Sequence, residues 1–175
     1  DYASANYYYV NKSSLPKVYG GFNTSLSWKG FDLSAIFAYS IGGYIYNRDI
    51  TMILHNGSLE GRDWSTEILK RWTPENRYTD VPALSTTSNN WNSASTRFLQ
   101  NNSYMRLKNL TLSYDLPKQW ISKLALSSVQ VFVQGDNLFT IHRNQGLDPE
   151  QGITGITYYR YPAMRTISGG INLSF

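Results

Sequence analysis

The sequence contains no cysteine and only two histidines among its 175 residues, and both shortages limit the disulfides, metal sites and catalytic groups that it can form. Without cysteine, neither a disulfide framework nor a thiolate metal site can form. His55 and His142 fall in different segments with no partner at metal-ligand spacing, so we expect no metal site. The serines include no G-x-S-x-G motif, and no nucleophile or carboxylate pair is arranged for catalysis. We therefore expect a protein that is not an enzyme and needs no cofactor.

Long apolar runs are also absent. No window approaches the roughly 20 apolar residues of a transmembrane helix, and the opening DYASANYYYV lacks the features of a signal peptide. Hydropathy alone would class the chain as soluble, but it detects strands of a β-barrel poorly because their residues alternate. The net charge of +4 is scattered along the chain. Such a weak, diffuse charge gives no reason to expect a nucleic-acid partner.

The sequence is rich in alternating segments, and a period of two indicates strands with two different faces. Five such segments occupy residues 19–28, 31–40, 104–116, 128–140 and 166–175. Lys29-Gly30 predicts a tight hairpin between the first two, because Gly30 supplies the positive φ that the turn requires. Tyrosine is the commonest aromatic, with 14 copies, and its ring and hydroxyl suit membrane interfaces and sugar sites.

The connections between these strands are unequal in length. Those at residues 29–30 and 117–127 are short, whereas those at 42–103 and 141–162 are long. An antiparallel meander then carries both long loops at one end, as outer-membrane barrels do with their extracellular loops. Aromatic residues also gather at both ends of the predicted strands, as expected of membrane interfaces. Since five strands cannot close such a barrel, we predict an all-β transmembrane barrel fragment.

One face of each strand is therefore predicted to contact lipid. Arg106 and Lys108 share the parity of the apolar residues in the third strand, so we expect both to lie above the membrane. Phe175 ends the chain on the apolar face of the last strand. The lipid-facing candidates are Leu110, Leu112, Val129, Val131, Val133, Ile167, Ile171 and Leu173.

The first long loop is predicted to contain one helix, capped by Asp63 and running to about Trp72. Trp64, Ile68 and Trp72 would share a face that packs inside the loop, while the polar stretch STTSNNWNSAST at residues 85–96 is predicted to have little structure. Asp148-Pro149 in the second loop predicts a turn.

Aromatic residues elsewhere in the loops are candidates for contact with a substrate or partner. Trp91, Tyr158 and Tyr159 have no apolar neighbours in sequence, and Arg160 follows them. Their rings suit stacking on a sugar or contact with a peptide, and packing against neighbouring loops or a partner is the alternative.

Several stretches together resemble one family. SYMRLKNLTLSYDLPKQWI is similar to a signature of the SusC/RagA family of TonB-dependent outer-membrane transporters. Further similarity follows in VQVFVQGDNLFTI, in GLDPE at residues 146–150, and in YPAMRTISGGINLSF. Upstream, PKVYGGFNTSLSWKGFDLSAIFAYSIGGYIYN and ILKRWTPENRYTDVPAL also resemble the family, so the resemblance extends over residues 15–175.

This resemblance implies that residues 1–175 form the C-terminal part of a 22-stranded barrel, namely its strands 18 to 22. It implies that Phe175 is read by the barrel-assembly machinery, and that the plug domain and TonB box lie outside this chain. The implied partners are the remaining barrel and plug, a SusD-like surface lipoprotein, the TonB complex and the lipid bilayer. The implied function is import of an oligosaccharide or oligopeptide across the outer membrane of a Gram-negative bacterium. The alternative, from composition, is a soluble β-sandwich that binds carbohydrate.

Overall fold

The computed structural model describes residues 2–57, 59, 61–87, 90–122, 126–144, 146, 148–150, 152–157 and 159–175. The described chain divides into two compact units. The sheet unit comprises Pro16–Gly42, Asn102–Glu150 and Tyr161–Phe175. The loop unit comprises Asp1–Leu15, Gly43–Asn101 and Gln151–Arg160.

Strands dominate the sheet unit, and the helices of both units are short. The strands and α-helices, numbered along the chain, are β1 (Val18–Trp28), β2 (Phe31–Ile41), β3 (Tyr44–Asn47), α1 (Arg48–Ile53), β4 (Leu99–Asn101), β5 (Tyr104–Asp115), α2 (Lys118–Ile121), β6 (Ser128–His142), β7 (Ile156–Thr157) and β8 (Thr166–Ser174). Turns of 3-10 helix occupy Tyr2–Ser4, Thr66–Lys70, Asn90–Asn92 and Thr96–Phe98.

The sheet unit is one antiparallel sheet in the order β1-β2-β5-β6-β8, which confirms the five predicted strands and their neighbours. The hairpin between β1 and β2 turns on Lys29 and Gly30, whose φ angles are 49° and 84°. Two consecutive positive φ angles give the twist that matches the flanking strands in a two-residue hairpin. The predicted turn is therefore confirmed.

Cross-strand register gives the sheet one apolar face. Leu33 of β2 pairs with Leu112 of β5, Leu112 pairs with Val133 of β6, and Val133 pairs with Gly169 of β8. Residues paired across neighbouring strands share a face, so the alternation in each strand adds to a continuous surface. The predicted lipid-facing candidates all fall on this face.

A β-bulge at Lys108 changes the parity of β5. Asn109 pairs with Ile36 of β2, but Leu107 pairs with Phe37, which leaves Lys108 as an extra residue. A bulge shifts the following side chains to the other face. Arg106 consequently lies on the polar face, opposite Ala38. The bulge interrupts the parity from which we placed Arg106 above the membrane, and its position relative to the membrane stays a prediction.

Two glycines of the sheet are sites of close approach between neighbouring strands. A Cβ atom on Gly170 would lie 2.8 Å from the ring of Phe132, its partner across β6 and β8. A Cβ atom on Gly20 would lie 3.0 Å from the hydroxyl of Tyr39, its partner across β1 and β2. Each aromatic ring therefore covers a glycine on the neighbouring strand, and a larger residue would displace it.

The loop unit has more structure than the sequence predicts. Its three-stranded sheet has the order β4-β3-β7, and β3 pairs with β7 in parallel. Ile45 and Phe98 are buried in this unit, and the rings of Tyr46 and Phe98 meet edge to face at 6.2 Å. Residues from both predicted loops thus fold together around a small core. The described residues of 85–96 contain only the short 3-10 helix at Asn90–Asn92 and the start of the one at Thr96–Phe98, which agrees with the little structure predicted there.

The predicted helix, capped by Asp63 and running to Trp72, is wrong in its cap and in its length. The structure has a 3-10 helix at Thr66–Lys70, and the hydroxyl of Ser65 caps it by accepting from the Glu67 amide. The carbonyl of Lys70 accepts from the side chains of Asn76 and Thr79, which fold the chain back before another turn can form. None of the described helices is long and apolar enough to cross a membrane.

Candidate functional site

A buried ion cluster joins the polar face of the sheet to the second long loop. Arg106 of β5 donates from Nη1 to Glu150 at 2.8 Å, from Nε to the Thr140 hydroxyl at 2.9 Å, and from Nη2 to Asp148. Its side chain is almost fully buried. All three nitrogens of the guanidinium are therefore used, as a buried cation requires.

Asp148 holds three segments of the sheet unit together. Its carboxylate accepts from Arg106, from the Glu150 amide at 2.9 Å and from the Ala163 amide at 2.6 Å. Burial alone would raise the pKa of Asp148, but these hydrogen bonds and the Arg106 charge outweigh burial and hold the pKa below its ordinary value. The bond to the Glu150 amide closes a turn over Pro149, so the predicted Asp148-Pro149 turn is confirmed.

Lys108 completes the cluster, since its Nζ lies 2.6 Å from both carboxylate oxygens of Glu150. The two carboxylates are thus matched by two cations, Arg106 and Lys108. Over the described residues, no group of three or more histidine, cysteine or carboxylate side chains is placed to hold a metal ion.

Next to this cluster, the sheet unit contains an open cleft of about 400 Å3. Its walls come from the C-terminal part of β6, from the turn at residues 148–149 and from residues 162–165. Phe139 supplies an apolar wall, and His142 and Arg165 supply exposed polar groups. The cleft therefore offers both an apolar surface and free donors to a small ligand.

Trp91, a predicted contact residue, is used inside the loop unit. Its indole Nε1 donates to the Leu54 carbonyl at 2.6 Å, and the Arg97 guanidinium lies 3.4 Å from the centre of its ring. One face of the ring is therefore covered by a cation. The structure assigns Trp91 a role in packing the loop, which is the alternative the sequence left open.

Tyr159 is presented outward by the loop unit. Its φ is 46°, its amide donates to Asp49 Oδ1 at 3.0 Å, and its side chain is largely exposed. Asp49 also accepts from the buried Thr157 hydroxyl at 2.9 Å. Arg160 is exposed beside it, and Tyr158 lies outside the described residues. The loop unit thus contains Trp91, Tyr159 and Arg160, of which Tyr159 and Arg160 are open to a partner.

His55 has a structural role in the loop unit. Its Nδ1 accepts from the Trp64 indole at 2.9 Å, and the imidazole is almost fully buried. Ile68 is buried and Trp64 contacts buried His55, so both belong to the predicted packing face, although Trp64 and Trp72 remain partly exposed.

Six of the eight lipid-facing candidates are exposed in the chain, whereas Leu110 is half-buried and Val129 is buried. Leu112 is 41% exposed and Ile171 is 63% exposed, but Val129 is only 8% exposed. Val129 differs because α2 lies against β6 there, and Ile121 of α2 is buried as well. Phe175 is exposed and follows the last residue of β8.

The polar face carries a ladder of side-chain hydrogen bonds. Asn109 donates to Asp136 at 2.8 Å and accepts from Thr111 at 2.9 Å. Nearer the short-turn end, Gln130 donates to Asp115 at 2.9 Å and accepts from Asn172 at 3.2 Å. These bonds link three neighbouring strands through polar groups, so this face of the sheet is polar.

Sequence reasoning missed Arg106 and Asp49 as organising residues. Arg106 was detectable, because its conflict with the alternation of β5 was visible and GLDPE offered acidic partners. Asp49 gave no such signal, because its partners Thr157 and Tyr159 lie more than 100 residues away in sequence.

An antiparallel sheet with an exposed apolar face and a hydrogen-bonded polar face is typical of the class of proteins that separate lipid from water. Comparison with known proteins gives the same class. The chain is 33% identical over 166 residues to TonB-dependent receptor P3 of Formosa agariphila, covering 89% of this chain and 16% of that protein. It is 27% identical over 168 residues to TonB-dependent receptor SusC of Bacteroides thetaiotaomicron, covering 95% of this chain and 16% of SusC.

Solved structures also show similarity to proteins of this class. A structure of the RagAB peptide transporter matches with a TM-score of 0.82 and 34% identity, over 95% of this chain and 18% of the other. No protein-family model matches the chain. The chain belongs to the SusC/RagA family of TonB-dependent receptors, and it spans less than one fifth of the length of these relatives. These relatives are receptors and transporters, which confirms that the chain is not part of an enzyme.

Proposed function

We propose that this chain is the C-terminal part of an outer-membrane barrel that imports oligosaccharides or oligopeptides in a Gram-negative bacterium. The observation that carries the proposal is the contrast between the two faces of the five-stranded sheet. The apolar face is exposed although it bears leucine, isoleucine and valine, and the other face is a polar ladder. Lipid on one side and a wet lumen on the other would satisfy both faces.

The edges of the sheet support a larger barrel. Among the described residues, β1 and β8 each pair with a single strand of the sheet, so each has one open edge. An open edge in lipid leaves backbone groups unpaired, at several kcal/mol each. Pairing with the remaining strands of a 22-stranded barrel would remove both edges, and Phe175 would act as the signal for assembly.

Import would require partners outside this chain. The plug and the TonB complex would open the lumen, and a SusD-like lipoprotein would close over the loops. The matched RagAB structures are described as a peptide importer, which favours a peptide as one substrate class. In the loop unit, Tyr159 and Arg160 are the best-placed described residues for contact with the partner or substrate, and Tyr158 and Trp91 remain candidates.

The alternative is a soluble β-sandwich that binds carbohydrate. Such a protein would bury its apolar face against a second sheet. In the described chain, Leu112, Val133 and Ile171 remain exposed. We therefore favour the membrane barrel over this alternative.

Uptake by the full-length protein that carries this chain tests the proposal. Cells would be given radiolabelled oligopeptides or oligosaccharides, with and without the gene for this protein and with and without a functional TonB. We expect uptake of at least one solute class to need both, and the protein to fractionate with the outer membrane. Fractionation with the soluble proteins, or uptake that needs neither gene, would contradict the proposal.

A further inference from the structure

The cleft beside the ion cluster contains a positive charge that the cluster does not neutralise. Asp148 and Glu150 are balanced by Arg106 and Lys108. Arg165 lines the same cleft, is exposed, and forms no ion pair with the residues that the structure describes. An unbalanced cation beside a shaped cavity favours an anionic ligand.

The backbone that carries Arg165 is held just before this residue by two hydrogen bonds and just after it by β8, which begins at Thr166. The Ala163 amide donates to Asp148, and the Met164 carbonyl accepts from the side chain of Asn137 at 3.2 Å. Asn137 has a φ of 52°, so this β6 residue departs from strand geometry where it meets the segment. Arg165 is therefore presented by a pinned segment, and less conformational entropy is lost when it binds a ligand.

The cleft also has a second donor and an apolar wall. His142 lies on its rim, and Phe139 and Pro162 contribute apolar surface. A guanidinium binds a carboxylate through two parallel hydrogen bonds, which gives orientation as well as attraction. The arrangement thus suits a solute with a carboxylate at one end and an apolar or ring surface next to it.

We propose that this cleft binds the carboxylate of a transported solute, with Arg165 as the anchor and His142 as a second donor. This inference rests on the proposed import function and names a chemical feature of its substrates. Two solutes would supply the same group, namely the C-terminus of a peptide or a uronic acid of an oligosaccharide. Arg106 takes no direct part, because its nitrogens already bind Asp148, Glu150 and Thr140.

Calorimetry on the purified full-length transporter tests the inference with four probes. They are an N-acetylated alanine hexapeptide with a free C-terminus, the same peptide as its C-terminal amide, trigalacturonate and cellotriose. We expect Arg165→Gln to weaken binding of a carboxylate probe about tenfold and to leave its neutral counterpart unchanged. Arg165→Lys should recover part of the lost affinity, because lysine keeps the charge but not the planar guanidinium that forms two parallel hydrogen bonds to a carboxylate. The probe that responds identifies the source of the carboxylate.

Arg143→Gln is the matched control, because Arg143 is exposed and adjacent to His142 but does not line the cleft. It removes the same charge and should leave all affinities unchanged. Equal loss in Arg143→Gln and Arg165→Gln would overturn the inference, as would an unchanged carboxylate affinity in Arg165→Gln. Failure of the unsubstituted protein to bind either carboxylate would also overturn it. TonB-dependent uptake by that protein, measured in parallel, separates these failures from failure of the import function.

Discussion

The sheet unit and the loop unit differ in which side chains they bury and which they expose. In the sheet unit, apolar side chains such as Leu112 and Ile171 are exposed, while the charged Arg106 is only 3% exposed. In the loop unit, the apolar side chains of Ile45 and Phe98 are each 1% exposed and form a small core. Water favours the second arrangement and opposes the first.

The difference shows that the two units are built for different surroundings. The loop unit has a small core and hydrogen-bonded polar residues around it, as a water-soluble domain does. In the described part of the sheet unit, most of the apolar face is exposed, apart from places such as Val129, where α2 covers it, and the ion pairs of Arg106 lie on the other face. An apolar medium on the side of the apolar face, which a bilayer would supply, is what we propose for the sheet unit.

The largest effect is expected from removing the core of the loop unit. Phe98→Ala should destabilise that unit by about 3–5 kcal/mol, because it deletes a fully buried ring that meets Tyr46. Hydrogen exchange by mass spectrometry on the full-length protein would show faster exchange in β3 and β4. Leu69→Ala, at an exposed position of the same unit, is the control and should change little. Equal effects of the two substitutions would contradict a buried core around Phe98 in the loop unit.

An arginine on the apolar face should have a smaller but still large effect. Leu112→Arg should cost about 2–4 kcal/mol if the position lies near the bilayer midplane, because the charge enters hydrocarbon. Thr111→Arg, one residue away on the polar face, should be tolerated. Folding titrations into lipid vesicles measure both. A similar cost at the two positions would contradict a lipid-facing surface.

A third prediction concerns the anchor of Tyr159. Asp49→Ala removes the acceptor of the Tyr159 amide and leaves the buried Thr157 hydroxyl without its partner, at a cost of about 1–3 kcal/mol. We expect faster hydrogen exchange at residues 156–160, with β5 and β6 unaffected. Asp63→Ala is a suitable control, because Asp63 is exposed and does not cap the neighbouring 3-10 helix. Unchanged exchange at 156–160 would show that Asp49 does not hold this segment.

The smallest effect at neutral pH belongs to the ionisation of Asp148. Its folded-state pKa lies below the ordinary value, so the unfolded state binds more protons in the acid range and stability rises with pH there. The contribution is complete above the unfolded pKa of about 3.9 and is lost as pH falls through the folded pKa. Pepsin cleavage of residues 143–163 should therefore increase at the acid end of a series from pH 5 to pH 2. Asp148→Asn should weaken that dependence, and an identical profile would contradict it.

The sequence was sufficient to predict the five main strands, since each has the alternation that a two-faced sheet requires. It also predicted the turn at Lys29-Gly30 from local chemistry. The bulge at Lys108 was not predicted, although the misplaced parity of Arg106 was its signal. A strand with inserted residues breaks the period of two, and only the pairing with β2 and β6 shows where.

The loop unit was beyond prediction for a different reason. Its strands β3, β4 and β7 have between two and four residues, which is too short for a periodic pattern. They form because residues distant in sequence meet, as Tyr46 does with Ile156. The same limit applies to the cleft, since its walls come from three separate segments of the sheet unit. GLDPE signalled a turn, but the sequence alone did not pair Asp148 with Arg106.

The most direct test of the account asks which medium each face of the sheet contacts. Leu112→Cys and Thr111→Cys would each place one spin label in this cysteine-free chain, within the full-length protein in lipid bilayers. The relaxation of each label by oxygen, which concentrates in hydrocarbon, would be compared with relaxation by a water-soluble nickel chelate. We predict that oxygen dominates at residue 112 and the nickel chelate at residue 111. Equal access of the nickel chelate to both labels would contradict a sheet that separates lipid from a wet lumen.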